Sequence, residues 1–132
     1  MKSVREARTE RAPAPVGPYS QAVIHAGLVY VSGQIPLDPA TGKVVGGEIE
    51  SQARQVFANL SAVLEAAGSS LERVLRTSIY LTDLSLFARV NAVYERHFTG
   101  DPKPARSTIG VAGLPLGVQI EVDAVAASDT DA

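Results

Sequence analysis

The stretch IESQARQVFANLSAVLEAAG (49–68) carries the clearest pattern in this chain of 132 residues. Its apolar members Ile49, Ala53, Val56, Phe57, Leu60, Val63, Leu64 and Ala67 recur at three- and four-residue intervals, the spacing that lines one face of an α-helix. Gly68 follows as a C-terminal cap, because helices commonly end on a residue in the left-handed conformation that glycine adopts without strain.

Downstream, VLRTSIYL (74–81) alternates as a strand, with Leu75, Ile79 and Leu81 on one face and Arg76, Ser78 and Tyr80 on the other. Asp83 then caps a second helix running to about Phe98, whose apolar stripe is Leu84, Phe87, Val90, Tyr94 and Phe98. Two more strands, ARSTIGV (105–111) and VQIEVDAVA (118–126), flank the turn-rich AGLPLG. Upstream, 19–26 and 28–32 read as strands around an Ala26-Gly27 turn, and the unbroken apolar run LVYVS suits a strand covered on both faces. The proline- and glycine-rich IPLDPATGKVVGG (35–47) reads as a loop. Residues 1–16 are an N-terminal arm with a short strand and loop, and 128–132 a frayed tail.

This order of elements predicts one α+β domain over 1–132, with both amphipathic helices on one face of a sheet. Several strand positions on the opposite face are apolar or uncharged, so a lone chain would expose a broad patch, and a symmetric homo-oligomer is the expected cover.

Composition narrows the chemistry. Hydrophobic residues at 45% and charged residues at 20% describe a chain that folds. A net charge of -2 offers no electrostatic footprint for nucleic acid, so none is expected as a partner. The absence of cysteine removes disulfides, thiolate nucleophiles and thiolate metal sites. His25 and His97 stand far apart without ligand spacing, so no metal or other cofactor is expected, and His97 reads as a solvated residue in the last helical turn. No apolar run follows Lys2, Arg5, Glu6 and Arg8 to make a signal peptide, and none spans a bilayer; a cytoplasmic protein is expected.

Several residues invite a functional reading. Arg106 enters its strand after Pro104-Ala105, and alternation puts Arg106, Thr108 and Gly110 on one face. Its planar fork suits a carboxylate, although an ordinary surface ion pair explains such an arginine equally well. Glu121 and Asp123 share a face, where a partly buried carboxylate serves as a general base or else joins a structural salt bridge. Asn91 falls on the apolar stripe of the second helix, where its amide needs partners. Tyr19, after Gly17-Pro18, either lines a pocket or simply packs. Gly33 permits close backbone approach or a bulge.

The fragments GPYSQAV (17–23), LVYVSGQIP (28–36), QARQVFANL (52–60), VNAVY (90–94), PARSTIGVAGLP (104–115) and QIEVDAVA (119–126), in this order, resemble the Rid (reactive intermediate deaminase) family, in particular its RidA subgroup. The resemblance implies a chorismate-mutase-like α+β fold with a mixed six-stranded sheet, assembled as a homotrimer with ligand clefts between subunits. It implies hydrolysis of 2-aminoacrylate and related 2-imino acids to 2-oxo acids and ammonia. Arg106 would bind the substrate carboxylate and Glu121 would position or activate water, with Tyr19, Gly33 and Asn91 shaping the cleft. Thr108 stands where some members carry cysteine, so a thiol role is excluded. Other readings the family allows are a non-catalytic carboxylate binder or sensor and, against the acidic charge balance, an endoribonuclease or translation inhibitor.

Overall fold

In the computed structural model, which describes residues 3–128, six strands form one mixed sheet. They are β1 (Arg5–Ala7), β2 (Ala22–His25), β3 (Leu28–Gln34), β4 (Val74–Leu81), β5 (Ala105–Gly110) and β6 (Ile120–Ala127), in spatial order β1-β2-β3-β6-β4-β5. Only β4 and β5 run parallel. Parallel neighbours need a crossover, and α2 (Phe87–His97) supplies it, while α1 (Ile49–Ala66) connects β3 to β4.

Both helices lie against one face of the sheet. α1 buries Val56, Phe57, Leu60, Val63 and Leu64, and the sheet contributes Val29, Val31, Ile79, Leu81, Ile120 and Val122 to the same core. α2 adds Val90, Val93 and Tyr94. The predicted cap of α1 is present: Gly68 has φ +75, and the Ser69 N–H donates to the Leu64 carbonyl at 2.9 Å. The loop after β3 is tied to α1 by buried Asn59, whose Nδ2 donates to the carbonyls of Ile35 (3.2 Å) and Leu37 (2.9 Å).

Four expectations need correction. In β4 the alternation starts late: Val74 is buried and Leu75 is 50% exposed, because the register against β6 shifts between Val74 and Arg76. Asp83 caps a short 3-10 turn, Leu84–Leu86, accepting from the Ser85 N–H at 3.0 Å, and α2 proper begins only at Phe87. His97 is not simply solvated; its ring packs 5.1 Å from that of Phe57, and Nδ1 lies 3.0 Å from the Val93 carbonyl oxygen. In LVYVS only Val29 and Val31 are buried, while Tyr30 is 45% exposed, so the chain by itself covers one face of β3.

Ser128, which the sequence assigns to the frayed tail, is part of the fold. Ser128 is buried, with its N–H donating to the Gly27 carbonyl at 2.9 Å, whereas residues 129–132 lie outside the described residues. No helix among the described residues is long and apolar enough to cross a membrane.

Candidate functional site

The alternation of β6 sends Ile120, Val122, Ala124 and Ala126 under the helices and Glu121 and Asp123 to the open face of the sheet. Register places Glu121 beside Tyr80 of β4. The Tyr80 hydroxyl donates to Asp123 Oδ2 at 2.9 Å, which keeps that phenol protonated and raises its pKa. Glu121 instead turns toward β3, and its carboxylate lies so close to Gly33 that a Cβ there would fall 1.9 Å from Oε2. Glycine is needed at this position for space; its φ lies outside the left-handed region.

Beside Glu121 opens a cavity of about 380 Å3, walled by Val16, Tyr19, Ser32, Gly33, Ile35 and Pro115. Partial burial raises the Glu121 pKa above the ordinary carboxylate value, and the charge of Asp123 pushes in the same direction. A carboxylate in this setting holds a proton more readily than a solvated one, as a general base toward water must. Tyr19, 50% exposed, stands on a braced loop. The Gln21 side chain accepts from the Thr9 N–H (2.7 Å) and donates to the carbonyls of Thr9 (3.0 Å) and Pro13 (2.9 Å). The Ser32 hydroxyl donates to the Ser20 carbonyl at 2.5 Å, and the Val16 N–H to the Tyr19 hydroxyl at 3.3 Å.

Arg106 lies elsewhere. Parallel pairing sets Arg106 beside Thr77 and Thr108 beside Ile79, both of which point to the helices. The Arg106 guanidinium carbon accordingly sits 4.7 Å from the ring centre of Tyr94 and 5.5 Å from that of Phe87, both on α2. It makes no ion pair or hydrogen bond within the described residues, so the surface-pair reading finds no partner among them. The Thr108 hydroxyl is buried without a hydrogen-bond partner among the described residues. Asn91, half-buried, follows Phe87 by four residues and precedes Tyr94 by three, so it shares the α2 face turned to Arg106.

The predicted set therefore divides into two trios. Tyr19, Gly33 and Glu121 meet at one cavity on the open face, and Arg106, Thr108 and Asn91 gather between β5 and α2 on the helix face. One chain does not bring them together. A larger hollow, about 720 Å3 along the arm between Arg8, Glu10, Ala14 and Pro39, contains none of the six. The cavity beside Glu121 is the better candidate because it holds a carboxylate with shifted proton affinity, whereas the one buried polar side chain of the larger hollow, Gln21, is spent on bracing the arm.

Phe87 and Tyr94 belong to the predicted apolar stripe, and Tyr94 is indeed core; that both rings also flank the arginine has no local signal. Their spacing with Asn91 was visible, but not that β5 pairs parallel to β4, which turns Arg106 toward them. The walls Val16, Ile35 and Pro115 come from three separate loops and carried no local signal.

The sheet thus presents a recessed carboxylate on one face and, on the other, an arginine without an ion pair among the described residues. Residues 9–128 match the family model described as Endoribonuclease L-PSP, and the chain belongs to this family, which is the Rid family. It is 49% identical over 118 residues to a RutC family protein of Pyrococcus horikoshii, covering 89% of this chain and 93% of that one. It is 46% identical over 118 residues to Reactive Intermediate Deaminase A, chloroplastic, of Arabidopsis thaliana, covering 89% of this chain and 63% of the relative. Among solved structures, Escherichia coli TdcF with bound serine superposes with a TM-score of 0.90 at 37% identity, covering 95% of this chain and 99% of the other.

Proposed function

We propose that the protein is an enamine/imine deaminase that hydrolyses 2-aminoacrylate and related 2-imino acids to 2-oxo acids and ammonia. The active unit is a homotrimer, and each cleft forms where the Arg106 trio of one copy meets the Glu121 trio of the next. The observation that carries the reading is Glu121, a partly buried carboxylate with raised proton affinity that faces a cavity large enough for a small acid and a water molecule. Two relatives point the same way: one is named a reactive intermediate deaminase, and another is solved with serine, a molecule bearing a carboxylate.

Arg106 grips the substrate carboxylate through two parallel charge-assisted hydrogen bonds, which fixes the imine carbon relative to Glu121. The enamine takes a proton at its terminal carbon and becomes the imine. Glu121 accepts a proton from water as the water oxygen bonds to the imine carbon, and the nitrogen is protonated to give a carbinolamine. Collapse of that adduct breaks the C–N bond, expels ammonia and leaves the 2-oxo acid. Arg106 stays protonated throughout and acts as the anchor. Because free imines already hydrolyse in water, an anchor and one oriented water supply the modest acceleration required. We further propose a cytoplasmic location, among the dehydratases and oxidases that release such intermediates.

The test generates an imino acid with an amino-acid oxidase, traps it with semicarbazide, and adds wild-type protein or Arg106→Ala. Wild-type protein is expected to divert imine to oxo acid and the variant is not. If wild-type protein leaves semicarbazone formation unchanged, the deaminase reading is lost; binding of a 2-oxo acid without turnover would instead leave a carboxylate sensor.

A further inference from the structure

From the packing around Arg106 we infer that Phe87 and Tyr94 are positioning residues for substrate binding, forming an aromatic cradle that orients the guanidinium for a carboxylate. This rests on the reading of Arg106 as the carboxylate anchor and goes beyond it by naming what aims the anchor.

An arginine at the start of an edge strand has many rotamers, and fixing one usually takes a hydrogen-bonded acidic partner. Arg106 has none within the described residues. It is held instead by two rings, Tyr94 at 4.7 Å and Phe87 at 5.5 Å from the guanidinium carbon. Aromatic faces attract a cation electrostatically without using any of its N–H donors. An acidic partner would occupy the same donors that a substrate carboxylate needs; rings leave them available.

The Tyr94 ring is itself fixed. Its hydroxyl lies 2.9 Å from Oγ1 of Thr77, a buried contact to the strand that also sets the register of Arg106. Phe98 stacks on it at 4.3 Å, and Phe57 meets it edge-on at 5.7 Å. One core assembly thus determines both the height of Arg106 on β5 and the plane against which its side chain lies. Phe87, 38% exposed at the start of α2, is the outer wall.

The experiment measures binding of 2-oxobutanoate, a stable product analogue of the imine, by titration calorimetry, alongside turnover in the semicarbazide assay. Variants are Phe87→Leu, Phe87→Trp, Tyr94→Leu and Tyr94→Phe, each checked for its native circular dichroism. A cation over an aromatic ring gains roughly 0.5–2 kcal/mol, so ring removal in Phe87→Leu or Tyr94→Leu is expected to weaken binding about three- to thirtyfold. Turnover at saturating substrate should fall by a smaller factor than affinity, since Glu121 is untouched and saturation compensates the weaker grip. Phe87→Trp should bind at least as well as wild type, because indole is the best cation-binding ring, and Tyr94→Phe should retain most affinity.

A packing role alone gives a different order, with the bulkier Trp as damaging as Leu. Equal loss in Phe87→Leu and Phe87→Trp, or unchanged affinity in Phe87→Leu, overturns the proposal. If Tyr94→Leu does not fold, the Phe87 series decides by itself, because that side chain is partly exposed. Wild-type protein that neither binds 2-oxobutanoate nor turns over imine refutes the anchor reading itself and this inference with it, a result distinct from a wild type that binds with indifferent variants.

Discussion

A Gly33→Ala substitution puts a methyl group where the Glu121 carboxylate now lies. The new Cβ would stand 1.9 Å from Oε2 and 2.8 Å from Cδ, whereas ordinary contact begins at 3.4 Å, so the carboxylate has to retreat by about 1.5 Å. Misplacing a catalytic group by about 1 Å costs on the order of a hundredfold in rate, so kcat/KM in the semicarbazide assay should fall by about that factor or more. The fold should hardly notice. Gly33 does not use a left-handed φ, the displaced atoms are the end of a flexible side chain, and replacing glycine by alanine favours folding by about 0.4–1 kcal/mol through the unfolded chain. The midpoint of thermal unfolding, followed by circular dichroism, should therefore stay within a few degrees of wild type. Adding Glu121→Ala to the same chain removes the clash and should leave the thermal midpoint at or above that of Gly33→Ala alone. Full activity in Gly33→Ala would falsify the assignment of Glu121 as the base held by this contact, and global unfolding would refute the claim that only the carboxylate depends on it.

Three further outcomes follow from the same geometry. Glu121→Gln should abolish turnover and also change stability with pH: a carboxyl whose folded pKa is raised contributes stability below its ordinary value and loses it as pH rises through the folded value. The variant should thus gain on wild type in thermal midpoint between pH 4 and 8, and parallel pH curves would contradict the raised pKa. Thr108→Val removes a buried hydroxyl that has no partner, so it should stabilise the fold by about 1 kcal/mol in urea unfolding; a loss of stability would mean that the hydroxyl is satisfied in solution. Glu50 is held at a pKa of about 2, first by its hydrogen bonds from Arg89, which also binds Glu48. That lowered value contributes stability above the ordinary carboxylate pKa and loses it as pH falls toward 2, so Glu50→Gln should lower the thermal midpoint at pH 6 and match wild type near pH 2. A difference that persists at pH 2 would trace the effect to packing and not to the ion pair.

What could be read in the sequence was whatever repeats along the chain. The three- and four-residue spacing from Ile49 gave α1 and its cap, and two-residue alternation correctly put Arg106 with Thr108 and Glu121 with Asp123. Alternation says which residues share a face but not which face lies under the helices. That depends on pairing between strands distant in sequence, here the parallel register of Thr77 with Arg106 and the antiparallel register of Tyr80 with Glu121. The extra residue in β4 was invisible for the same reason: it compensates a partner strand, so Leu75 looked internal while Val74 was. His97 looked like a solvated helix end because nothing local reveals that Phe57, forty residues earlier, covers its ring. The candidate site residues themselves are singled out by the ordered resemblance, since a free arginine and a paired one have the same sequence.

The division of the site between the two faces of the sheet has a genetic consequence. In a cyclic assembly where each cleft takes Arg106 from one chain and Glu121 from its neighbour, two different defective alleles can complement each other. Co-expressed Arg106→Ala and Glu121→Ala chains, each inactive alone, would mix, and every mixed ring would contain one boundary at which an unaltered arginine faces an unaltered glutamate. With random mixing about a quarter of all clefts would be intact, so recovered activity near that fraction measures the assembly without any structure determination. The same mixture with both lesions on one chain and none on the other also leaves about a quarter of the clefts intact; if each chain built its cleft alone, that mixture would keep about half and the two single lesions would not complement at all.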